Sequence, residues 1–278
     1  MKFAREHIKK FQREVKDYYR AHGRRMPWRE TSNPYEIVVS EIMLQQTQVS
    51  RVLVKYPEYI RIFPNFEALA RAPLPKILAV WQGMGYNRRA KALKAFAEII
   101  VRDYNGELPR DPRLLEKFPG IGPATAGSIA AFAFNTPVPF IETNIRRVFI
   151  HFFFKRRKSS ADGIRDEEIL PLILETMDRK NAREWYYALM DYGAMLAQTH
   201  RGKNPNIKSA RYRKQPKFEG SDRQIRGKII KLLLQKKSLN AKQIEAMLAR
   251  EKERVVRILN NLAKEGFLAR ARGKYSLV

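Results

Sequence analysis

Leu115-Glu-Lys-Phe-Pro-Gly-Ile-Gly-Pro-Ala-Thr-Ala-Gly127 is the stretch that decides how this chain reads. A helix burying Leu115 and Phe118 runs into Pro119-Gly120-Ile121-Gly122. A second helix is predicted to start at Pro123, a residue suited to a first helical turn, and to continue to Phe134. Two glycines two apart permit a tight turn whose amide N–H groups sit at a helix N-terminus, where an anion is favoured. Such a hairpin is a phosphate clamp. This segment alone also fits an ordinary helical hairpin with glycines for steric reasons.

Composition favours the clamp. The chain has 278 residues, 44% of them hydrophobic, enough for one large or two modest domains with real cores. It carries 55 Lys and Arg against 28 Asp and Glu, a formal charge of +27, which suits a polyanion: DNA, RNA or an acidic membrane surface. No apolar run is long enough to span a bilayer. The charged amphipathic N-terminus (Phe3, Ile8, Phe11, Val15 and Tyr18 at helical spacing) lacks the apolar core of a signal peptide, and its acidic residues argue against a transit peptide. With no cysteine there is no disulfide, thiolate zinc site or cysteine-ligated iron–sulfur cluster. The histidines His7, His22, His151 and His200 show no metal-ligand spacing. The expectation is a soluble protein of the cell interior that binds nucleic acid, with no membrane partner.

Nearly everything reads as helix, at about 2–22, 34–47, 50–62, 65–70, 74–82, 88–105, 112–117, 123–134, 143–154, 166–177 and 181–197. Strand alternation is almost absent before residue 265. Residues 198–222 are basic with little to bury, the pattern of a linker or arm. A helix over 224–236 follows. Asn240 then caps Ala241–Glu251, and a third helix over 253–265 has Val255, Ile258, Leu259 and Leu262 as its buried stripe. The tail alternates apolar and polar residues around Arg272-Gly273-Lys274, a hairpin signal. Three helices and a basic hairpin describe a winged helix with Arg270, Arg272 and Lys274 on its wing, which either contacts DNA or packs on a protein surface.

Two acidic positions carry the chemistry. In Ser40-Glu-Ile-Met-Leu-Gln-Gln-Thr-Gln48, helical spacing puts Glu41, Gln45 and Gln48 along one face. Beside apolar Val38, Val39, Ile42 and Leu44 a carboxylate is poorly solvated, so its pKa rises toward the range of a general acid. The amides would read base edges or fill the gap left by an extruded nucleotide; a solvated surface Glu with solvated glutamines is the alternative. Glu142-Thr143-Asn144 interrupts apolar Val138–Ile141 and opens a helix with Arg146 and Arg147. Either Thr143 or Glu142 fits a simple helix cap equally well.

Six motifs in order, over about residues 25–197, resemble the helix-hairpin-helix base-excision DNA glycosylases, and among them the MutY-type adenine glycosylases. They are Met26-Pro-Trp-Arg29 with Pro34-Tyr35; Ser40 to Val49; Trp81-Gln-Gly-Met-Gly-Tyr86 with Arg89-Ala90; Phe118-Pro-Gly-Ile-Gly122 with Thr125-Ala-Gly127; Glu142-Thr-Asn144 with Arg147-Val148; and Met190-Asp-Tyr-Gly-Ala-Met195. The resemblance implies an all-α fold of two helical subdomains flanking a cleft, with a winged-helix-like C-terminal domain. The glycosylase domain would be 1–197, with a six-helix barrel at about 30–134 (hairpin 112–134) and a second subdomain from 1–29 plus 135–197. A basic arm at 198–222 and a DNA- or partner-binding domain at 223–278 would follow.

The implied activity is base flipping and monofunctional N-glycosyl hydrolysis, at an unstacking cost of roughly a few kcal/mol. By the family's pattern Glu41 protonates the purine, the carboxylate at 142 stabilises the oxocarbenium-like sugar, and Asn144 positions the reacting groups. Trp28, Arg29, Gln45, Gln46, Gln48, Tyr86, Gly120, Gly122 and Thr125 are expected at the DNA or base. Ala124 stands where bifunctional relatives carry a Schiff-base lysine, so no efficient lyase activity is expected. The expected partner is mismatched or oxidatively damaged duplex DNA, bound by a monomer in the cytoplasm at the nucleoid. No cofactor is expected beyond a monovalent cation at the hairpin.

Three departures stand out. Glu142 replaces the family's usual aspartate, and a shift of about a bond length can cost on the order of 100-fold in rate. The four-cysteine cluster loop after Met195 is replaced by a basic segment, whose Lys203, Arg211, Arg213 and Lys214 would contact phosphates instead. The lesion-reading C-terminal domain is not recognisable. Two other functions fit the same residues: a thymine or uracil mismatch glycosylase, and a non-catalytic DNA-binding protein.

Overall fold

Prolines and short polar caps set the helix ends. In the computed structural model, which describes residues 5–157, 163–199, 204–214 and 216–278, the hairpin's second helix runs Pro123–Phe134, starting at the proline the sequence singles out. In chain order the elements are α1 (Arg5–His22), α2 (Pro34–Leu44), α3 (Val49–Ile62), α4 (Phe66–Arg71), α5 (Leu74–Val80), α6 (Arg88–Asp103), α7 (Pro112–Leu115), α8 (Pro123–Phe134), α9 (Thr143–Phe153), α10 (Asp166–Thr176), α11 (Ala182–Thr199), α12 (Asp222–Lys236), β1 (Ser238–Asn240), α13 (Ala241–Leu248), α14 (Lys252–Lys264), β2 (Leu268–Ala271) and β3 (Lys274–Leu277). The expected mostly helical fold is present. No described helix is long and apolar enough to cross a membrane.

The chain divides into two compact units, Met1–Glu41 with Pro109–Lys214 and Ile42–Leu108 with Gln215–Val278. The hairpin belongs to the first and the C-terminal segment to the second. In the first unit α11 packs on α1 and α9. Phe11, 1% exposed, sits edge-on to Phe149, Phe152, Phe153 and Trp185. Truncating a phenylalanine so placed costs about 3–5 kcal/mol. In the second unit α4 and α5 pack on α6, with Phe66 stacked on Phe96.

Within that second unit the C-terminal segment forms three helices and a three-stranded antiparallel sheet of order β1-β3-β2, the arrangement of a winged helix. Asn240 caps α13 and shares a capping box with Gln243, and Val255, Ile258, Leu259 and Leu262 are buried on α14 as their spacing predicts. Arg272 and Gly273 both have positive φ (48° and 71°), as the two-residue turn between β2 and β3 requires. The sequence reading misses β1, because three residues with only Leu239 buried carry no alternation. It also runs α13 too long: the helix stops at Leu248 because Ala249 adopts a left-handed conformation.

Candidate active site

Glu41 lies on α2, where every residue from Ile37 to Met43 except Glu41 is buried. The Ser128 hydroxyl on α8 donates to Glu41 Oε2 at 2.6 Å and also lies 3.0 Å from the Thr125 carbonyl. A hydroxyl so placed serves both protonation states. It donates to the carboxylate, or accepts from the carboxylic acid while donating to Thr125. Burial pushes the Glu41 carboxyl up to about 7; Ser128 opposes this, the charge of Glu142 adds to it, and Arg29 opposes it.

Glu142 is the N-cap of α9, so the capping role left open by the sequence is real. Its Oε1 accepts from the backbone amides of Asn144 and Ile145, both at 2.7 Å, while Oε2 meets Asn144 Nδ2 at 3.3 Å. Capping through one oxygen fixes where the other points. Burial raises the Glu142 pKa, while the two amides and then Arg147 and Arg146 pull it down.

Arg147, 7% exposed, locks Asn144. Its guanidinium donates to Asn144 Oδ1 (2.6 Å), the Gly193 carbonyl (2.7 Å) and Asn204 Oδ1 (3.1 Å). Gly193 must be glycine, because a Cβ there would come within 2.5 Å of the Asn144 carbonyl and 2.6 Å of its Cβ. Beside it on α11, Asp191 is 2% exposed and accepts from the Arg24 amide and Nε (2.8 Å each) and from both terminal nitrogens of Arg29 (2.9 Å each). Burial works to raise the Asp191 pKa, but Arg29 and Arg24 hold it below the ordinary value. The motif Met190–Met195 was legible as a motif without roles; its Asp and Gly fix Arg29 and Asn144. Trp28 is 3% exposed and the Arg29 side chain 6%, so both lie inside the unit, with Arg29 stacked 4.5 Å over the Tyr187 ring.

At the hairpin Gly120 has φ 77°, the left-handed region that favours glycine. Gly122 is the N-cap of α8 in extended conformation, with open space where a Cβ would be. Ala124 and Thr125 follow in the first turn of α8. Gly127 lets α8 meet Phe140, whose Cβ would lie 2.6 Å from an added methyl.

The second unit holds the other set of expected residues. Gln45, Gln46 and Gln48 follow the end of α2, and Tyr86 precedes α6. Gln46 (φ 52°) and Tyr86 (φ 48°) are both left-handed, a strained state for such side chains. Arg89, unassigned from sequence, ties their turns together. Its guanidinium donates to the carbonyls of Ile42 (2.9 Å), Met43 (2.8 Å), Gln45 (2.6 Å), Met84 (3.1 Å) and Gly85 (3.2 Å), and to Thr47 Oγ1 (2.9 Å). It thus caps the last carbonyls of α2.

The arm reading changes in part. Lys203 lies outside the described residues; Arg213 and Lys214 are exposed. Residues 204–211 are bonded to the first unit rather than loose. Asn206 Nδ2 donates to the Thr143 carbonyl (2.9 Å), Ile164 and Ser209 form a parallel bridge, and Arg211 pairs with Asp166 at 2.7 Å. Hydrophobic patterning is blind to burial achieved by amides and backbone bonds. Without a cysteine in the chain, a cysteine-ligated cluster does not fit this segment. Among the described residues no group of three or more His, Cys, Asp or Glu is placed to hold a metal ion.

Residues 39–168 match the HhH-GPD superfamily of base excision DNA repair proteins. An adenine DNA glycosylase of Mycobacterium tuberculosis is 36% identical over 235 residues, 78% of this chain and 75% of that protein. One of Mycolicibacterium smegmatis is 32% identical over 274 residues, 92% of each. A thymine/uracil-DNA glycosylase of Pyrobaculum aerophilum is 30% identical over 186 residues, 66% of this chain and 81% of that one. Among solved structures, a thermostable thymine-DNA glycosylase (TM-score 0.63, 24% identity, 70% of this chain and 90% of that chain) and endonuclease III bound to DNA (TM-score 0.57, 18% identity, 68% and 85%) share the fold. With the carboxylate pair of Glu41 and Glu142, the glycine hairpin and these relatives together, the chain belongs to the HhH-GPD superfamily of base-excision DNA glycosylases.

Proposed function

We propose that this glycosylase excises adenine mispaired with 8-oxoguanine or guanine, acting as a monomer and leaving an abasic site. The observation that carries the reading is the pair of poorly solvated carboxyls with different hydrogen-bond donors. Glu41, with one hydroxyl donor, is pushed up to about 7, so a large share of it carries its proton near neutral pH. Glu142 has two backbone amides and the N-terminus of α9, which favour its ionised form. Burial raises both carboxyls, but the two amides on Glu142 bind its anion while the Ser128 hydroxyl can serve either state of Glu41, which casts Glu41 as the acid and Glu142 as the anion.

Glu41 donates its proton to the departing purine, so the N-glycosidic bond breaks with the electron pair on a neutral base. Glu142 faces the positive charge that develops on the sugar, and Asn144, held by Arg147, keeps its oxygen in place. Water adds at the sugar carbon and its proton is lost, regenerating the acid. Ala124 cannot form an imine, so the strand is left intact. Phosphate is taken by the amides around Gly120 and Gly122, by Thr125, and by the exposed cations Arg213 and Lys214, while Arg211 is held by Asp166. Gln45, Gln46, Gln48 and Tyr86 meet the opened stack. The curated relatives named adenine DNA glycosylases support the choice of base.

A thymine or uracil target is the second reading, favoured by the similarity to the Pyrobaculum thymine/uracil-DNA glycosylase. Single-turnover excision on duplexes holding A opposite 8-oxoguanine, A opposite G, and T or U opposite G separates the two, with alkali revealing abasic sites. Cleavage of the adenine strand, without cleavage before alkali, is expected. Cleavage confined to T or U would replace the reading.

A further inference from the structure

Within the second unit, α12 begins beside the Tyr86 turn. The Arg223 guanidinium donates to the Tyr86 hydroxyl and, at 3.0 Å, to the Pro216 carbonyl. It lies 5.5 Å from the Tyr86 ring centroid and 6.0 Å from that of Phe218. Both rings reach solvent, Tyr86 at 36% exposure and Phe218 at 58%. The turn is open: added Cβ atoms at Gly83 and Gly85 would meet nothing within 4 Å.

The neighbouring arginines are already paired, two to each carboxylate. Arg88 and Arg226 both grip Glu265, and Arg254 and Arg257, on α14, both pair with Asp222. Arg223 alone of these five is bonded to neutral oxygens, so its full charge remains for an anion. Two acceptors and two ring faces hold it in one geometry, which lowers the entropy cost of a further contact.

We propose that Arg223 is a DNA phosphate contact that the C-terminal module contributes beside Tyr86, with the charge displayed at the start of α12 rather than along α14. The inference rests on DNA being the substrate, which the family gives, and not on which base is excised. A guanidinium braced by uncharged partners can take two phosphate oxygens without first breaking an ion pair. Glu265 has the complementary task. Arg88 first, and Arg226 with it, hold its carboxyl down to about 2, and that carboxylate joins α6, α12 and the residue after α14.

The experiment is a salt titration of duplex binding with the full chain, comparing Arg223→Gln, Arg223→Lys and Glu265→Gln. Arg223→Gln is expected to weaken binding several-fold and to make the slope of log K against log salt shallower by about 0.9, one phosphate contact. Arg223→Lys is expected to keep the slope, and Glu265→Gln, which loosens the module while leaving Arg223 charged, is expected not to reduce it. Unchanged affinity and slope in a folded Arg223→Gln protein would overturn the proposal and leave Arg223 a latch. An equal loss of slope in Glu265→Gln would assign the effect to docking and also overturn it. If the parent excises no base from any duplex while these slopes behave as expected, the proposed excision fails and this contact stands.

Discussion

Glu41 and Arg89 face the same physical problem, an ionisable group short of water, and the two units solve it differently. In the first unit Glu41 receives one side-chain hydrogen bond, from Ser128, and its pKa climbs to about 7. In the second, Arg89 is surrounded by five carbonyls and a hydroxyl, and although burial draws its pKa down to about 10, it stays charged at neutral pH. A group left short of partners is free to change protonation state, which chemistry needs. A group whose two terminal nitrogens are taken up by six acceptors fixes the turns around it, which a gripping surface needs. The contrast assigns rate to the first unit's carboxyls, and a share of the affinity, beside that of the first unit's hairpin, to the second unit's turns.

The sharpest way to break that assignment is Glu41→Gln. Losing a general acid should lower single-turnover excision by roughly 10²–10⁴-fold while duplex affinity stays within a few-fold. Residual excision near the parent rate would move the acid elsewhere. Glu142→Gln keeps an oxygen to cap α9 but removes the charge. Excision should fall by about 10²–10³-fold with little change in thermal midpoint. A large loss of stability with normal excision would make Glu142 a cap and nothing more.

The second unit should respond the other way. Arg89→Met leaves buried carbonyls of both turns without a donor, at about 1–3 kcal/mol for each one orphaned. The thermal midpoint should drop by roughly 10 °C and duplex binding should weaken, with excision at saturating enzyme less affected. Intact binding would detach Gln46 and Tyr86 from the grip. Arg89→Lys should rescue only part, since an ammonium cannot reproduce the planar fork.

Much of this comparison was legible beforehand and part was not, for identifiable reasons. Pro123 opening α8, the left-handed Gly120, Glu41 in an apolar helix and the α14 stripe all express local periodicity and backbone rules. Ser128 did not stand out, because a lone serine in an alanine-rich helix has no signature until folding brings it to Glu41 from 87 positions away. Arg89 was seen only as part of a motif, since its partners are backbone carbonyls, which every residue has. Asn204 and Asn206 looked like linker residues, and their bonds to Arg147 and to the Thr143 carbonyl are long-range.

The central claim, that burial makes Glu41 the proton donor, is tested most directly by the pH dependence of single-turnover excision in the parent and in Ser128→Ala, with enzyme saturating. A carboxyl pushed up to about 7 is protonated below that pH and loses its proton above it, so the parent rate should fall as pH rises through about 7. The Ser128 hydroxyl stabilises the charged form, so removing it should move the falling limb to higher pH. A parent rate that is flat across this range, or a limb that Ser128→Ala leaves in place, would contradict Glu41 as the acid.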